Sequence, residues 1–409
     1  MLTRQDFIRH GTALVSLGAA VPAIFRRGIA LAEADNADLP DRTLVVIQLA
    51  GGNDGLNTVI PYNDASYHAL RPTLGVTADK VLRLDDTFGL HPSMTALKAM
   101  YDAGQVAVVN GVGYPNPNYS HFRAMEIWQS ADPIGLPGEG WVGKYLDSLE
   151  AQHNSLSGLN IGNSTPAEFR SAVPPIPSLQ RIEDYALKIG SDAQTVTAQR
   201  NTSVLQLYEM FPAEAKYGAL LQGTVQDAFD SSAKMGQIVA NYRSTVTYPQ
   251  TPIAGGLKMV AAALASNIGM RVAHVQLAGF DTHSRQAADQ AKLLGQLSDA
   301  IAAFYQDLAL HNRADNTLTM TWSEFGRRAG QNASDGTDHG SAAPMFIVGG
   351  AVKGGMYGQL PSLGNLDAGN LRFTTDFRAV YATLLDRWLM ADANRLLGAG
   401  YDRLGFLAA

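Results

Sequence analysis

Residues 317–350 read TLTMTWSEFGRRAGQNASDGTDHGSAAPMFIVGG, and this stretch decides the fold. Leu318, Met320 and Trp322 alternate with Thr317, Thr319 and Thr321, which is the period of a buried strand. The chemistry then changes abruptly to Ser323-Glu324-Phe325-Gly326-Arg327. A loop rich in Gly and Asn ends in Asp338-His339-Gly340, and Pro344 to Val348 opens a second strand. Two strands therefore bracket a loop carrying Glu, Asp and His. In an open α/β sheet ligands bind just beyond the carboxyl ends of the strands. Each of these polar residues taken alone fits a turn or a surface charge, whereas together they mark a candidate site.

The same pattern recurs along the chain. Thr43 to Leu49 (TLVVIQL) is a nearly continuous apolar run of the kind found in a central parallel strand. It ends in Gly51-Gly52-Asn53-Asp54-Gly55, where the glycines allow a sharp turn and Asp54 follows the strand end. This is not a phosphate-binding P-loop, because its lysine and spacing are missing. Gln105 to Asn110 is a second buried strand. A loop then leads to Ser120-His121-Phe122-Arg123 at the start of a helix. Ser120 suits an N-cap, and equally a nucleophile facing backbone amides at the positive end of the helix dipole. Arg271 to Leu277 is a third buried strand, ending in Gly279-Phe280-Asp281-Thr282-His283. Alternate residues of extended backbone share a face, so Asp281 and His283 can reach one cation. His274, inside that strand, reads as a satisfied core histidine, and His91 and Arg378 read as structural.

Strands at 43–49, 105–110, 271–277, 317–322 and 344–348 alternate with helices. The expected fold is α/β, with a mostly parallel central sheet covered by helices on both faces. One such domain spans 41–409, with about 136–250 read as a helical insertion that covers the sheet. Residues 1–34 carry charged, apolar and small-residue regions in the order of an export signal. The apolar run Thr12–Phe25 is too short to span a bilayer. The alternative is a short N-terminal core helix. The charged region resembles a twin-arginine signal with Gln5 where the second arginine belongs. The expected location is therefore periplasmic or secreted, with membrane contact only during export.

The chain has 409 residues, 46% hydrophobic and 17% charged, with net charge −6 and no cysteine. This ordinary composition gives no electrostatic footprint for nucleic acid. The lack of cysteine excludes disulfides, thiolate metal sites, a cysteine nucleophile and a formylglycine made from cysteine.

GGNDGLN, LHP, SHFRAMEIW, GFDTH, SEFGRR, DHG and DFRAVYATLL together resemble the exported DUF1501 family over nearly the whole length. That family looks like a distant branch of the alkaline phosphatase and sulfatase superfamily. The resemblance implies a metal-binding Asp54 after the first strand and Ser120 as a nucleophile at a helix N-terminus. It also implies Asp281, His283, Glu324 and His339 as metal ligands. Asp-x-His replaces a wider spacing and Ser323-Glu324 replaces an Asp-His pair, so one ion in place of two is one expected consequence. A serine-type sulfatase signature would need proline at Phe122.

The implied function is metal-dependent hydrolysis of a phosphate or sulfate ester outside the cytoplasm, by Ser120 or a bound water. One or two divalent ions are implied, zinc or manganese before magnesium or calcium. Asp54 and Glu324 would hold one ion, and Asp281, His283 and His339 the other. Arg123 or Arg327 would clamp the anionic oxygens, and His121 would protonate the leaving group. The substrate would be a small anionic ester or a sulfated or phosphorylated glycan. The alternative is a metal-stabilised binding protein for a glycan or protein partner, without turnover.

Overall fold

The computed structural model describes residues 41–135, 138–149, 156–171, 176, 178–179, 203, 206–207, 238 and 241–408. The leader-like segment 1–34 and most of the expected insertion at 136–250 lie outside these residues. Strand β1 (Thr43–Ala50) is flanked by two parallel neighbours, the later strands Val272–Ala278 and Thr317–Trp322. In chain order the other strands are β2 (Val59–Ile60), β3 (Leu82–Arg83), β4 (Gly89–Leu90), β5 (Val106–Gly113), β6 (Gly158–Ile161) and β7 (Ser178–Leu179). They continue with β8 (Val272–Ala278), β9 (Thr317–Trp322), β10 (Ala343–Val348), β11 (Gly355–Tyr357) and β12 (Thr375–Asp376). Nine of these form one sheet, ordered β11-β5-β10-β9-β1-β8-β6-β7 with β12 also on β5, while β2, β4 and β3 form a small second sheet.

The sheet is parallel except at β10, which runs antiparallel to both β5 and β9. This reversal has a functional consequence. The chain leaves β9 at the carboxyl rim, loops through residues 323–342 and enters β10 from the same rim. His339 therefore stays beside the ends of β1, β8 and β9. The register is tight: Gln48 pairs with both Gln276 and Trp322, so the three central strands end at one level. The expected insertion is partly integral to the sheet, because β6 pairs with β8 and β7 with β6.

Continuous apolar strands are stable here because both faces are covered. Val45, Ile47 and Leu49 pack with α2 (Thr95–Asp102), α5 (Pro252–Ala265) and α6 (Gln286–Leu310). Leu44 and Val46 pack on the other side with residues of α3 (His121–Ser130), α4 (Trp141–Ser148), α7 (Phe377–Arg387) and α8 (Ala393–Leu397). A short helix α1 (Ala65–Leu70) precedes Arg71, whose side chain is fully buried. Among the described residues no helix is long and apolar enough to cross a membrane.

Two ionisable groups are buried in this core without an ionic role. His274 donates from Nδ1 to Asn160 Oδ1 at 2.8 Å, while its Nε2 has no hydrogen-bond partner. Neither oxygen of the buried Glu168 has one either, and His274 Nε2 lies 3.9 Å away. Burial pushes Glu168 up to about 8 and His274 down to about 3. Between about pH 4.5 and pH 8 the unfolded chain ionises Glu168 while the folded chain keeps its proton, so stability falls as pH rises through that window. Below about pH 6.5 the unfolded chain protonates His274 and the folded chain does not, so stability falls again toward acid. Glu168→Gln is expected to gain thermal stability over the wild type as pH is raised from 5 to 8. Unfolding midpoints at the two pH values check this, and a gain independent of pH would contradict it.

Candidate metal centre

The site begins where β1, β8 and β9 end together. Gly51 and Gly52 both have positive φ, and a Cβ on Gly51 would sit 2.3 Å from the Asp281 nitrogen. Only glycine lets the β8 loop approach this closely. Into the junction projects Arg327, which is buried. Its Nε donates to Gly52 O at 2.6 Å and its Nη1 to Thr337 O at 2.8 Å. Its Nη2 reaches Gly51 O, Phe280 O at 2.8 Å and Asp281 Oδ1 at 2.8 Å. One guanidinium thus ties the ends of β1 and β8 to the loop before β10. Arg327, expected to clamp substrate, is placed by the structure as a buried tie between protein groups.

Asp281 is the centre of the cluster. Its Oδ1 lies 3.0 Å from His283 Nε2 and 3.1 Å from His339 Nε2, and its Oδ2 lies 3.5 Å from His121 Nε2. His283 Nε2 and His339 Nε2 are 3.0 Å apart. Partial burial alone would raise the Asp281 carboxyl. The hydrogen bond from Arg327 and the nearby positive charge outweigh it and hold the group down at about 2. The carboxylate is therefore anionic throughout the physiological range.

The ring nitrogens are aimed from behind. His339 Nδ1 lies 2.8 Å from Tyr119 O, and a carbonyl can only accept, so Nδ1 carries the proton. His121 Nδ1 lies 2.9 Å from Glu324 Oε1, which also accepts from Gly51 N at 2.8 Å. Both rings in their neutral form then present a bare Nε2 to Asp281. Bare nitrogen lone pairs converging on a carboxylate repel one another unless a cation or a proton stands between them. Ligand atoms about 2.0–2.1 Å from a tetrahedral zinc lie roughly 3.3 Å from each other. His339 Nε2 lies 3.1 Å from Asp281 Oδ1 and His121 Nε2 3.5 Å from Oδ2, and one ligand atom from each of His121, Asp281 and His339 falls within 4.8 Å of the others. The residues present fit a divalent ion.

Asp281, His283 and His339 are thus brought together as expected, and His121 joins them in place of standing apart as an acid. Glu324 is not among them. It is buried behind His121, with Oε1 occupied and Oε2 without a partner. It stands behind the ring, in the position from which a carboxylate would orient a histidine ligand. Asp54 is also turned away. Its carboxylate is held by Arg71, with Nη2 to Oδ1 at 2.9 Å and a second contact from Nη1, and by Gln286 Nε2 and Leu56 N. The guanidinium of Arg71 thus supplies the positive charge that balances the buried Asp54 carboxylate. Arg123 points elsewhere, to Gly135 O at 2.7 Å and Glu126 at 3.3 Å. Ser120 is exposed at the N-cap of α3 and makes no capping hydrogen bond from its side chain, so a plain cap does not account for it.

Sequence reasoning missed Arg71, Gln286 and the Tyr119 carbonyl. Arg71 follows a short helix with no pattern to flag it, and a backbone carbonyl leaves no trace in residue identity. The role of Glu324 had a partial signal, since it lies only just beyond β9 and so remains in the floor of the site.

The model of the family described as "Protein of unknown function (DUF1501)" matches residues 41–400. No curated protein matches the chain. Among solved structures, the PsFucS1 sulfatase from Pseudoalteromonas sp. is similar at 12% identity, with 95% of this chain and 76% of that chain covered and a TM-score of 0.39. The lipoteichoic acid synthase LtaP from Listeria monocytogenes is similar at 8% identity, over 85% of this chain and 81% of that one, with a TM-score of 0.36. The phosphonate monoester hydrolase SpPMH from Silicibacter pomeroyi is similar at 9% identity, over 88% and 77%, with a TM-score of 0.32. These are likenesses of fold.

If Glu324 orients His121 and does not ligate, Glu324→Gln is expected to weaken zinc binding by about 10–100-fold while the protein still takes up one equivalent. Chelator competition measures this. An unchanged affinity would remove Glu324 from the account, and a lost equivalent would make it a ligand.

Proposed function

Because the chain belongs to the DUF1501 family, whose description assigns no activity, we propose a function from the site itself: single-ion hydrolysis of an anionic phosphate or sulfate ester. The observation that carries the reading is the convergence of two tautomer-fixed histidine nitrogens, from His121 and His339, on the Asp281 carboxylate. A zinc or manganese ion held there would neutralise ester oxygens and lower the pKa of a nearby hydroxyl or water. Magnesium and calcium are poorer matches, because they favour all-oxygen surroundings.

The chain's own groups then divide the work. His121, Asp281 and His339 form the fixed ligand set. His283 is left out of that set because no short hydrogen bond fixes its ring from behind: its Nδ1 has only a long contact, 3.6 Å to Asp338. It is the group placed to deliver a proton to the leaving oxygen. Ser120, next to His121 and free of capping duty, is the nucleophile. The leader-like N-terminus supports action outside the cytoplasm. Three exposed aromatic side chains, Tyr119, Phe122 and Phe373, follow or adjoin the end of β5 and favour a glycan as the bearer of the ester.

One observation favours the second reading, a binding protein without turnover. If His283 is counted, four protein ligands close a tetrahedron, as in structural metal sites. Release of nitrophenol from phosphate monoester, phosphate diester and sulfate ester, with and without zinc or manganese, separates the two. Metal uptake without turnover on any ester would leave the binding protein.

Ser120→Ala is expected to cut turnover by about 10³-fold or more, with an unfolding midpoint close to the wild type because no capping bond is lost. Near-normal turnover would make water the nucleophile. His283→Ala is expected to retain one equivalent of metal and to impair alkyl esters more than nitrophenyl esters, which leave without help from an acid. Equal losses on both, or loss of the metal, would return His283 to the ligand set.

A further inference from the structure

We infer that Phe325 is a positioning residue of the metal centre: its ring sets the planes of the His121 and His339 imidazoles, and so the directions in which their Nε2 atoms point. This role presupposes the metal-centre reading above and deepens it. Phe325 follows Glu324 in the loop after β9 and is 2% exposed. Its ring centroid lies 4.3 Å from that of His339, with the planes tilted by 33°, and 4.9 Å from that of His121, tilted by 47°. The two imidazoles are 4.6 Å apart, edge to face. Three rings, from the start of α3 and the two ends of the β9–β10 loop, therefore meet in one cluster. Among the described residues the apolar clusters that form the core do not include Phe325, although it is buried. Its ring contacts are with the imidazoles.

Hydrogen bonds alone leave such imidazoles loose. Each is held at Cβ by its own backbone and at Nδ1 by a hydrogen bond, to Glu324 for His121 and to Tyr119 O for His339. Rotation about the line through those two points preserves the bond, because acceptor oxygens accept a broad range of approach. The same rotation swings Nε2 through an arc. A flat ring packed against the imidazole removes that freedom. Phe325 in turn has a firm seat. Gly52 has a φ of +85°, and a Cβ there would lie 2.4 and 2.6 Å from two carbons of the Phe325 ring, so the ring rests on bare backbone at the end of β1. That backbone is fixed, since Gly52 O accepts from Arg327 Nε at 2.6 Å.

His283 is the contrast. Among the described residues its ring meets only that of His339, at 4.7 Å, and its Nδ1 has only the long contact to Asp338. The two histidines with a short hydrogen bond at Nδ1 are the two that Phe325 touches. Ligands keep their geometry when packing and outer hydrogen bonds lock their rotamers. The SEFGRR loop supplies both kinds of support: Glu324 holds His121 by a hydrogen bond, Arg327 holds Asp281, and Phe325 holds two ring planes. An apolar ring gives the ion no ligand atom, so its contribution is angular. It keeps two nitrogens aimed at one point beside Asp281.

The test uses the full chain loaded with zinc and, separately, with cobalt(II), whose visible absorption is strong in a tetrahedral site and weak in a six-coordinate one. Phe325→Leu keeps an apolar side chain and removes the flat ring. It is expected to weaken zinc binding by about 10–100-fold in chelator competition and to reduce the cobalt absorption as the freed ion takes up water. Phe304→Leu is the control, at a fully buried phenylalanine on α6 in the apolar cluster of Val45 and Ile47. It is expected to lower the unfolding midpoint and to leave zinc affinity and cobalt spectrum unchanged. If Phe325→Leu does not fold, Phe325→Met, with an unbranched chain that adapts to gaps, carries the same expectation. A folded Phe325 variant with wild-type zinc affinity and an unchanged cobalt spectrum would reduce Phe325 to packing and overturn the inference, while the metal centre stands. Equal losses in Phe304→Leu would also overturn it, by showing general loosening. If the wild type binds neither ion, the metal-centre reading fails together with the inference.

Discussion

The carboxyl rim of this sheet is held in shape by one buried guanidinium. Arg327 reaches two carbonyls after β1, a carbonyl and a carboxylate after β8, and a carbonyl before His339. Backbone carbonyls pointing inward at a strand-end junction would be costly without donors, and the charge-assisted bonds from Arg327 satisfy several at once. A lysine could not, since its compact ammonium lacks the planar fork. The price is that a residue with the look of a substrate clamp is withdrawn from chemistry. In return Asp281 becomes a permanently ionised anchor, and the three imidazoles are arranged around it.

Charge balance explains why the chemistry sits where it does. Two carboxylates follow β1 and β8, and each is answered differently. Asp54 is fully buried and neutralised by Arg71. Removing one partner of such a pair costs about 3–5 kcal/mol, which makes this half of the site structural. Asp281 is half exposed and shares its oxygens with Arg327 and three histidines, so that half stays open to solvent and to ligands. Glu324 and the Tyr119 carbonyl complete the design by fixing which nitrogen of each ring faces the centre.

Much of the framework was legible because it rests on apolar periodicity. The five strands expected from the sequence fall within a few residues of those observed, since continuous β-branched runs have few alternatives inside a covered sheet. The direction of β10 was not legible, because strand polarity depends on where the preceding loop turns, and nothing local in Pro344 to Val348 records it. The site was legible as a set of residues but not as a set of roles. Asp281, His283 and His339 meet as expected. His121 stands at the cluster where Glu324 was expected, with Glu324 behind it, because residue type and strand position do not say whether a carboxylate touches an ion or the histidine in front of it. Asp54 could not be placed without Arg71, which comes from a separate loop.

The proposed hydrolysis needs one ion bound by His121, Asp281 and His339, with Asp54 already satisfied by Arg71. Anomalous scattering at the metal edge from crystals of the zinc-loaded protein tests this most directly. A single peak about 2.0–2.2 Å from His121 Nε2, His339 Nε2 and an Asp281 oxygen is the predicted result. A second peak beside Asp54, or a peak bound to Glu324 in place of His121, would contradict it.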